Sequence, residues 1–225
     1  MKTYEVEIKS LLGSKENADK LKTAISGAYP SMKLVSKGKQ LNHYFNVPAD
    51  LVALEKALKP LVPAGRENEF ANAISHSKKV SLRTRQTDTE VLLVMKISVG
   101  DGTSSNGVTR VEFEFPVSMS LQALDRILLD SCCTYQAKWS REREEYADEG
   151  MHVCIDKNAG YGYLAEFEKV TTDEASLAAV RQELLGAMKK LGFAELPQDR
   201  LERMFAHYNA HWPEYYGTDR TFVVE

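Results

Sequence analysis

The sequence has no apolar run approaching the ~18 residues that a membrane-spanning helix needs. Its N-terminus, Met1-Lys2-Thr3-Tyr4-Glu5, lacks the apolar core of a signal peptide. There are only three cysteines, Cys132, Cys133 and Cys154, an odd set without metal-binding spacing. We therefore expect reduced thiols in a cytoplasmic protein that does not bind membranes.

The chain also has little excess charge. A formal net charge of −3 argues against a general nucleic-acid binder, and no nucleic-acid partner is expected. Its 225 residues, 43% of them apolar, are enough for one large domain with a core. The sequence predicts a single domain over 1–225, in which 1–170 hold the strands with inserted helices and 171–225 hold C-terminal helices.

Eight segments have the period-two alternation of β-strands and are bounded by turn residues. They are 2–11, 40–47, 80–86, 90–98, 108–116, 136–146, 151–157 and 162–170. Short connections favour antiparallel hairpins, and eight strands can close around one small ligand. Helices are predicted at 14–28, 50–59, 120–130 and 173–191 and from about 197 onwards, while 60–79 receives no assignment. The predicted class is α+β, an eight-stranded antiparallel β-barrel with helices packed on the outside.

Charged residues of one sign recur two positions apart in five of these strands. Side chains with this spacing point to the same face of a strand, so each doublet brings like charges together. The doublets are Glu5 and Glu7, Arg83 and Arg85, Glu112 and Glu114, Arg141 and Arg143, and Glu166 and Glu168, with Arg110, Lys9, Lys96 and Asp156 as single charges. A divalent cation relieves the repulsion between paired carboxylates most strongly, because hard ions prefer carboxylate oxygens.

Any one doublet is explained more simply as the solvated face of an antiparallel sheet. Five doublets together, two of them made of arginine, favour a different interpretation, because arginine suits bidentate phosphate binding. The pattern predicts an interior that holds metal ions and a polyanion, with the apolar faces of the strands covered by helices. Trp139, within the basic run 138–143, is interpreted as packing on the exterior, with stacking on a nucleobase as the alternative.

These motifs resemble those of the CYTH superfamily, also called triphosphate tunnel metalloenzymes, over roughly residues 1–170. Glu5-x-Glu7-x-Lys9 is similar to the N-terminal signature of that family. Gln40-Leu41-Asn42-His43-Tyr44-Phe45 resembles its second-strand motif, with Asn42 where an acidic residue is usual. Further matches in the family's order are Leu82-Arg83-Thr84-Arg85, Leu93-Val94-Met95-Lys96, Arg110-Val111-Glu112-Phe113-Glu114, Arg141-Glu142-Arg143 through Tyr146, and Asp156, Gly162, Glu166 and Glu168.

The resemblance implies an eight-stranded antiparallel tunnel that binds a small-molecule triphosphate together with Mg²⁺ or Mn²⁺. The implied metal ligands are Glu5, Glu7, Glu112, Glu114, Asp156, Glu166 and Glu168. The implied triphosphate-binding residues are Lys9, Arg83, Arg85, Lys96, Arg110, Arg141 and Arg143. Glu5, Glu7 and Lys9 are the implied catalytic residues.

Three functions stay open at this point. Attack of water on the terminal phosphorus would make the protein a triphosphatase acting on tripolyphosphate, thiamine triphosphate or a nucleotide. Attack of a ribose 3′-hydroxyl on the α-phosphorus would make it a class IV adenylyl cyclase. A non-catalytic polyphosphate-binding module is the third reading. Hydrolysis is favoured because it requires fewer specific contacts, and a homodimer is left open.

Overall fold

The computed structural model describes residues 4–77, 79–98, 110–148 and 150–224, without the side chains of 98 and 110–112. The strands of the described chain are β1 (Tyr4–Gly13), β2 (Lys33–Asn46), β3 (Lys79–Gln86), β4 (Val91–Ser98), β5 (Arg110–Val117), β6 (Thr134–Ala147), β7 (His152–Asn158) and β8 (Gly162–Thr171). The helices are α1 (Lys15–Ala28), α2 (Val52–Leu58), α3 (Glu67–Ser75), α4 (Leu121–Asp130), α5 (Leu177–Lys190) and α6 (Gln198–Tyr215), with short 3-10 turns at Lys59–Leu61 and Glu174–Ser176.

The eight strands form one sheet in the order β1-β8-β7-β6-β2-β3-β4-β5. The pairs β1–β8, β2–β3, β3–β4, β4–β5, β6–β7 and β7–β8 are antiparallel, and short hairpins join β3 to β4 and β7 to β8. β1 and β5 are the two end strands of this order, so the hydrogen-bonded ladder does not close on itself within the described residues. The predicted α+β class with eight antiparallel strands is confirmed.

The chain divides into two compact units. The terminal unit comprises Met1–Lys39 and Ser140–Glu225, and the central unit comprises Gln40–Trp139. The single-domain organisation stays a prediction.

Helices α1 and α5 cover the apolar face of the terminal unit. Ile8 of β1 and Phe167 of β8 are buried in one cluster with Leu21 of α1 and Leu184 of α5. The helix α1 begins where the Oγ of Ser14 accepts a hydrogen bond from the backbone N–H of Asn17, at 3.2 Å. Because alternate strand residues enter this core, the intervening residues are left on the opposite face.

Helices α2, α3 and α4 cover the apolar face of the central unit. Met95 of β4 and Phe113 of β5 are fully buried in one cluster with Leu54, Phe70 and Leu124 of the three helices. The helix α4 carries a Ser120 cap, whose Oγ accepts from the backbone N–H of Ala123.

The unassigned segment 60–79 contains α3. Phe70, Ala73 and Ile74 are buried at the three- and four-residue spacing of a helix face. A helix of nine residues that follows Pro63 and Gly65 closely is too short for periodicity to predict. The central unit therefore has one helix more than the sequence indicates.

The segment after α5 packs along β1. The Oγ of Ser10 donates to the carbonyl of Ala194, and the backbone N–H of Leu196 donates to the carbonyl of Lys9, both at 2.7 Å. Beyond it, Tyr208 of α6 is fully buried against the β7–β8 turn. A Cβ at Gly160 in that turn would lie 2.6 Å from the Tyr208 ring, and the φ of +90° also favours glycine.

The eight predicted strands are confirmed, with small differences in their bounds; residues 2–3 and 108–109 of the first and fifth lie outside the described part. The largest difference is in β2, which begins at Lys33, whereas the predicted strand begins at 40. The sequence did not indicate the first residues of β2, because they, including Leu34 and Val35, are exposed and do not alternate. No helix among the described residues combines the length and apolar composition needed to cross a membrane.

Candidate functional site

Charged residues of four neighbouring strands share one face of the terminal unit. Cross-strand partners lie on the same face, and the register pairs Glu7 with Glu168 and Lys9 with Glu166. We call this surface the acidic face; its members are Glu5, Glu7, Lys9, Arg141, Arg143, Asp156, Glu166 and Glu168. The structure therefore places every predicted site residue of this unit on the one face that the alternation along the strands predicted.

A chain of ion pairs runs across the acidic face. Lys9 contacts Glu7 and lies 3.1 Å from Glu166, measured from Nζ to Oε1. Arg143 contacts Glu166 as well and donates two 2.7 Å hydrogen bonds to Asp156. Arg141 donates a further bond of 2.8 Å to Asp156, whose side chain is fully buried. Two of the predicted metal ligands, Glu166 and Asp156, are thus neutralised by side chains.

The electrostatics of Glu166 follow from these neighbours. Burial raises the pKa of a carboxyl group, but Lys9, Arg143 and Arg141 outweigh it and hold the pKa of Glu166 well below its usual range. Burial likewise opposes the charge of Arg143, while Asp156 and Glu166 keep its pKa above the ordinary value. Glu166 and Arg143 therefore both carry their charge at neutral pH.

Glu5, Glu7 and Glu168 form a second arrangement on the same face. A carboxylate oxygen from each lies within 4.8 Å of the other two. Among the described residues, no lysine or arginine nitrogen lies within salt-bridge distance of Glu5 or Glu168. Burial, together with the charges of Glu5 and Glu166, raises the pKa of Glu168. Three converging carboxylate oxygens, two of them from residues without a paired lysine or arginine in the described part of the chain, are a donor set that a hard divalent cation prefers.

Two residues beside this group were not singled out from the sequence. The Nδ1 of His152 lies 2.7 Å from the Oε1 of Glu145, and a ligand atom of each lies within 4.8 Å of one on Glu168. Both positions share the parity of the acidic face, with His152 opposite Glu168 in the β7–β8 register. Their alternation with the neighbouring strand residues could have indicated this position from the sequence. It was not used, because the prediction rested on pairs of like charges and β7 carries none.

Cys154 also lies on the acidic face instead of in the apolar core. It pairs across the ladders with Glu145 and Glu166 and is 1% exposed. Burial raises the pKa of its thiol to about 12. In the metal-free protein the side chain is thus a neutral thiol at physiological pH and a poor nucleophile.

The central unit carries a basic face on β3, β4 and β5, defined by Arg83, Arg85, Lys96 and Glu114. The Nη1 of Arg83 donates to the hydroxyl of Tyr44 at 2.7 Å. The Nε of Arg85 donates to the Oδ1 of Asn42 at 3.0 Å, and its Nη1 donates to Glu114 at 2.9 Å. Each arginine is therefore held by the residue directly opposite it in β2.

A cavity of about 200 Å³ opens on the basic face. It is lined by Tyr44, Ser81, Arg83, Val94 and Lys96. Two cationic side chains over a small polar cavity suit an anion such as a phosphate group.

Trp139 packs edge-on against the ring of Tyr44, with the ring centroids 6.4 Å apart. Tyr44 in turn holds Arg83, so Trp139 lies beside the basic face, and the exterior position expected for it is wrong.

Within each unit, the structure thus brings together the predicted residues that it describes. Glu114, predicted as a metal ligand, is paired with Arg85. The side chains of Arg110 and Glu112 lie outside the described part of the chain, although the backbone of Glu112 pairs with Lys96. The roles assigned to all these residues stay predictions.

Comparisons with known proteins agree with this architecture. Residues 3–200 match the CYTH domain model, and the chain belongs to the CYTH family. No protein of curated function matches the chain in sequence.

Several solved structures share the fold at low sequence identity. PH1819 from Pyrococcus horikoshii OT3 is 17% identical with a TM-score of 0.61, covering 91% of this chain and 99% of its own. A putative adenylate cyclase from Vibrio parahaemolyticus is 14% identical with a TM-score of 0.60, covering 90% and 98%. HpAC1 from Hippeastrum, a putative adenylyl cyclase with a dominant triphosphatase activity, is 18% identical with a TM-score of 0.53, covering 91% and 96%.

Proposed function

We propose that this protein is a divalent-metal-dependent triphosphatase that hydrolyses a small-molecule triphosphate. The observation that carries the proposal is the group Glu5, Glu7 and Glu168, three converging carboxylates of which only Glu7 contacts a lysine among the described residues. Three carboxylates converging this closely repel one another, and a bound divalent cation would relieve that repulsion. Membership of the CYTH family supports the same reading.

The donor set fits Mg²⁺ or Mn²⁺. Glu5, Glu7 and Glu168 would hold the cation, with Glu145 and His152 as neighbours at its edge. A bound divalent cation would neutralise charge on the phosphate oxygens during phosphoryl transfer. The further candidate ligands are Glu166, Asp156, Glu114 and Glu112. The first three would have to leave their present lysine or arginine partners before they could bind a cation.

The basic residues would bind the phosphate chain. Arg83, Arg85 and Lys96 of the central unit offer bidentate or point-charge contacts to phosphate oxygens. Lys9, Arg141 and Arg143 of the terminal unit, and Arg110, are proposed to contribute in the same way. Because Asn42 and Tyr44 already fix the two arginines of β3, little reorganisation would accompany substrate binding.

Hydrolysis requires a water molecule in line with the leaving oxygen. Glu7, on the acidic face, is proposed to orient that water, with Glu5 beside it. The water oxygen would form the new bond to the terminal phosphorus, and the bridging P–O bond would break to release orthophosphate and a diphosphate product.

Class IV adenylyl cyclase activity is the second candidate. The Vibrio parahaemolyticus neighbour is described as a putative adenylate cyclase, and a cyclase would use the same cation and anion contacts. HpAC1 supports the order of preference, since its dominant activity is that of a triphosphatase. A non-catalytic polyphosphate binder would not need the group Glu5, Glu7 and Glu168, which counts against that reading.

The deciding experiment supplies tripolyphosphate, thiamine triphosphate and ATP separately, each with Mg²⁺ and with Mn²⁺. Release of orthophosphate identifies the triphosphatase, whereas cyclic AMP with pyrophosphate from ATP identifies the cyclase. Binding of tripolyphosphate without either product would indicate the non-catalytic module. A cytoplasmic location, the absence of nucleic-acid and membrane partners and a homodimer remain proposals to be examined beside it.

A further inference from the structure

A buried polar cluster lies behind the basic face of the central unit. Asp125 of α4 is 3% exposed, yet its carboxylate accepts three hydrogen bonds. The hydroxyl of Thr84 donates at 2.6 Å and that of Tyr135 at 2.8 Å. The Nδ1 of His43 lies 2.6 Å from the same carboxylate. One helix residue is thus tied to three strands, in the middle of an otherwise apolar cluster.

The position of this cluster in the β2–β3 ladder links it to the basic face. Three consecutive cross-strand pairs are Asn42 with Arg85, His43 with Thr84, and Tyr44 with Arg83. The two outer pairs join their side chains by hydrogen bonds on the basic face. The middle pair points to the opposite face, where Asp125 binds both of its members.

Stability alone does not account well for such a cluster. Burial raises the pKa of Asp125, and the bonds from His43, Thr84 and Tyr135 more than offset it, so the group stays an anion. Buried charged clusters are often no more stabilising than apolar residues of the same volume. They do specify geometry, because each partner must lie within hydrogen-bond distance.

We propose that Asp125 and Thr84 are positioning residues for the triphosphate-binding arginines. Asp125 fixes the register of β2 against β3, and a slip of one residue would turn Arg83 and Arg85 away from Tyr44 and Asn42. Smaller shifts would loosen the same bonds and leave the guanidinium groups less ordered before an anion binds. This inference rests on the proposed function only for the identity of the ligand.

The principal variant is Thr84→Val, which removes the hydroxyl while keeping the side-chain shape. Metal-free tripolyphosphate binding is measured by calorimetry, and we expect the dissociation constant to rise about tenfold. Thr84→Ser, which keeps the hydroxyl, should restore binding to within about threefold of the original protein. In an Arg85→Ala background, Thr84→Val should raise the constant by only about threefold, because Arg83 is then the one remaining arginine that the residue positions.

Leu128→Ala is the matched control. Leu128 is fully buried on the same helix as Asp125 but makes no hydrogen bond to β2 or β3 through its side chain. This variant should lower the melting temperature at least as much as Thr84→Val and leave tripolyphosphate affinity unchanged. The positioning role would be wrong if Leu128→Ala weakened tripolyphosphate binding as much as Thr84→Val does. It would also be wrong if Thr84→Val had the same effect with and without Arg85.

A second readout separates this proposal from the proposed function. The Nε–H of Arg85, assigned by its loss in Arg85→Ala, should exchange slowly with water in nuclear magnetic resonance spectra because Asn42 accepts it. Thr84→Val should speed that exchange at least about tenfold, and unchanged exchange overturns the positioning role. If the original protein fails to bind tripolyphosphate, the proposed function is wrong, and the exchange rates still decide whether Asp125 and Thr84 order Arg85.

Discussion

The two units of this protein carry excess charge of opposite sign on their polar faces. The acidic face of the terminal unit has five carboxylates against three cations, whereas the described part of the basic face has three cations against Glu114. Both faces come from strands with the same period-two pattern, and both are backed by helices. The acidic face of the terminal unit is thus suited to binding a cation, and the basic face of the central unit is suited to binding an anion.

The largest expected effect is on turnover, and it comes from replacing one charged residue of the acidic face or one of the basic face. Glu7→Gln and Arg85→Ala should each lower kcat/KM for the triphosphate substrate about 10³-fold, roughly 4 kcal/mol of transition-state stabilisation. The first should weaken Mn²⁺ binding and spare metal-free tripolyphosphate binding, and the second should do the reverse. Calorimetry with each ligand alone measures both constants.

Exposed residues of the same units serve as controls for these variants. Glu142 lies on the opposite face of β6, and Arg126 lies on the solvent side of α4. Glu142→Gln and Arg126→Ala should leave turnover unchanged. If Glu7→Gln and Arg85→Ala both keep activity within about tenfold, or weaken both ligands alike, the division between the two faces is wrong.

Glu166→Gln should have the next largest effect, on stability. The change leaves Lys9 and Arg143 without their shared carboxylate, and breaking a largely buried ion pair costs about 3 kcal/mol. The melting temperature should fall by roughly 6–12 °C for a protein of this size.

The pH dependence of the same variant follows from the lowered pKa of Glu166. A lowered pKa contributes stability that is present above the ordinary glutamate pKa and lost as the pH falls towards the folded-state value. Scanning calorimetry should therefore find the largest deficit near neutral pH and a shrinking one in acid. A deficit that grows on acidification would contradict the ion-pair assignment.

Two residues further along β8, Glu168→Gln should act in the opposite direction and more weakly. The pKa of Glu168 is raised, so the ionised group destabilises the fold above the ordinary glutamate pKa and not below it. The metal-free variant should melt about 2 °C higher at neutral pH, a small gain because solvent screens the group. With Mn²⁺ present the order should reverse, since only the original protein gains stability from the cation. A lower melting temperature in the metal-free state would remove the evidence for unrelieved repulsion.

The smallest expected effect concerns the thiol on the acidic face. Cys154, with a pKa of about 12, should resist iodoacetamide in the folded protein, while the exposed Cys132 reacts. Cys154→Ala should leave the dissociation constant for Mn²⁺ unchanged. Peptide mass mapping gives the reactivity, and a Zn²⁺-selective loss of binding in Cys154→Ala would mean that sulfur takes part.

Strand parity was enough to predict which side chains share a face, because the period of two is imposed by backbone geometry. The grouping of Glu5, Glu7, Glu166 and Glu168 was implied by the family resemblance, and the structure pairs their strands β1 and β8. Strand parity could not assign partners within a face, so the pairing of Glu166 with Lys9 and Arg143, and of Glu114 with Arg85, appears only in the structure.

Contacts between a helix and a distant strand were beyond the sequence pattern. Asp125 reads as one polar position in an amphipathic helix, and nothing in its own spacing indicates His43, Thr84 and Tyr135 as partners. The same holds for α3, whose burial depends on a surface supplied by other segments. Local periodicity predicts the elements, whereas these buried contacts depend on tertiary packing.

The backbone bond from Leu196 to Lys9 occupies a carbonyl on the edge of β1, an end strand of the described sheet, beside Glu5 and Glu7. A peptide pairing with β1 at this position would have to displace the segment after α5, because that segment already occupies the Lys9 carbonyl. The segment after α5 therefore protects the β1 edge at Lys9 against pairing with strands of other molecules.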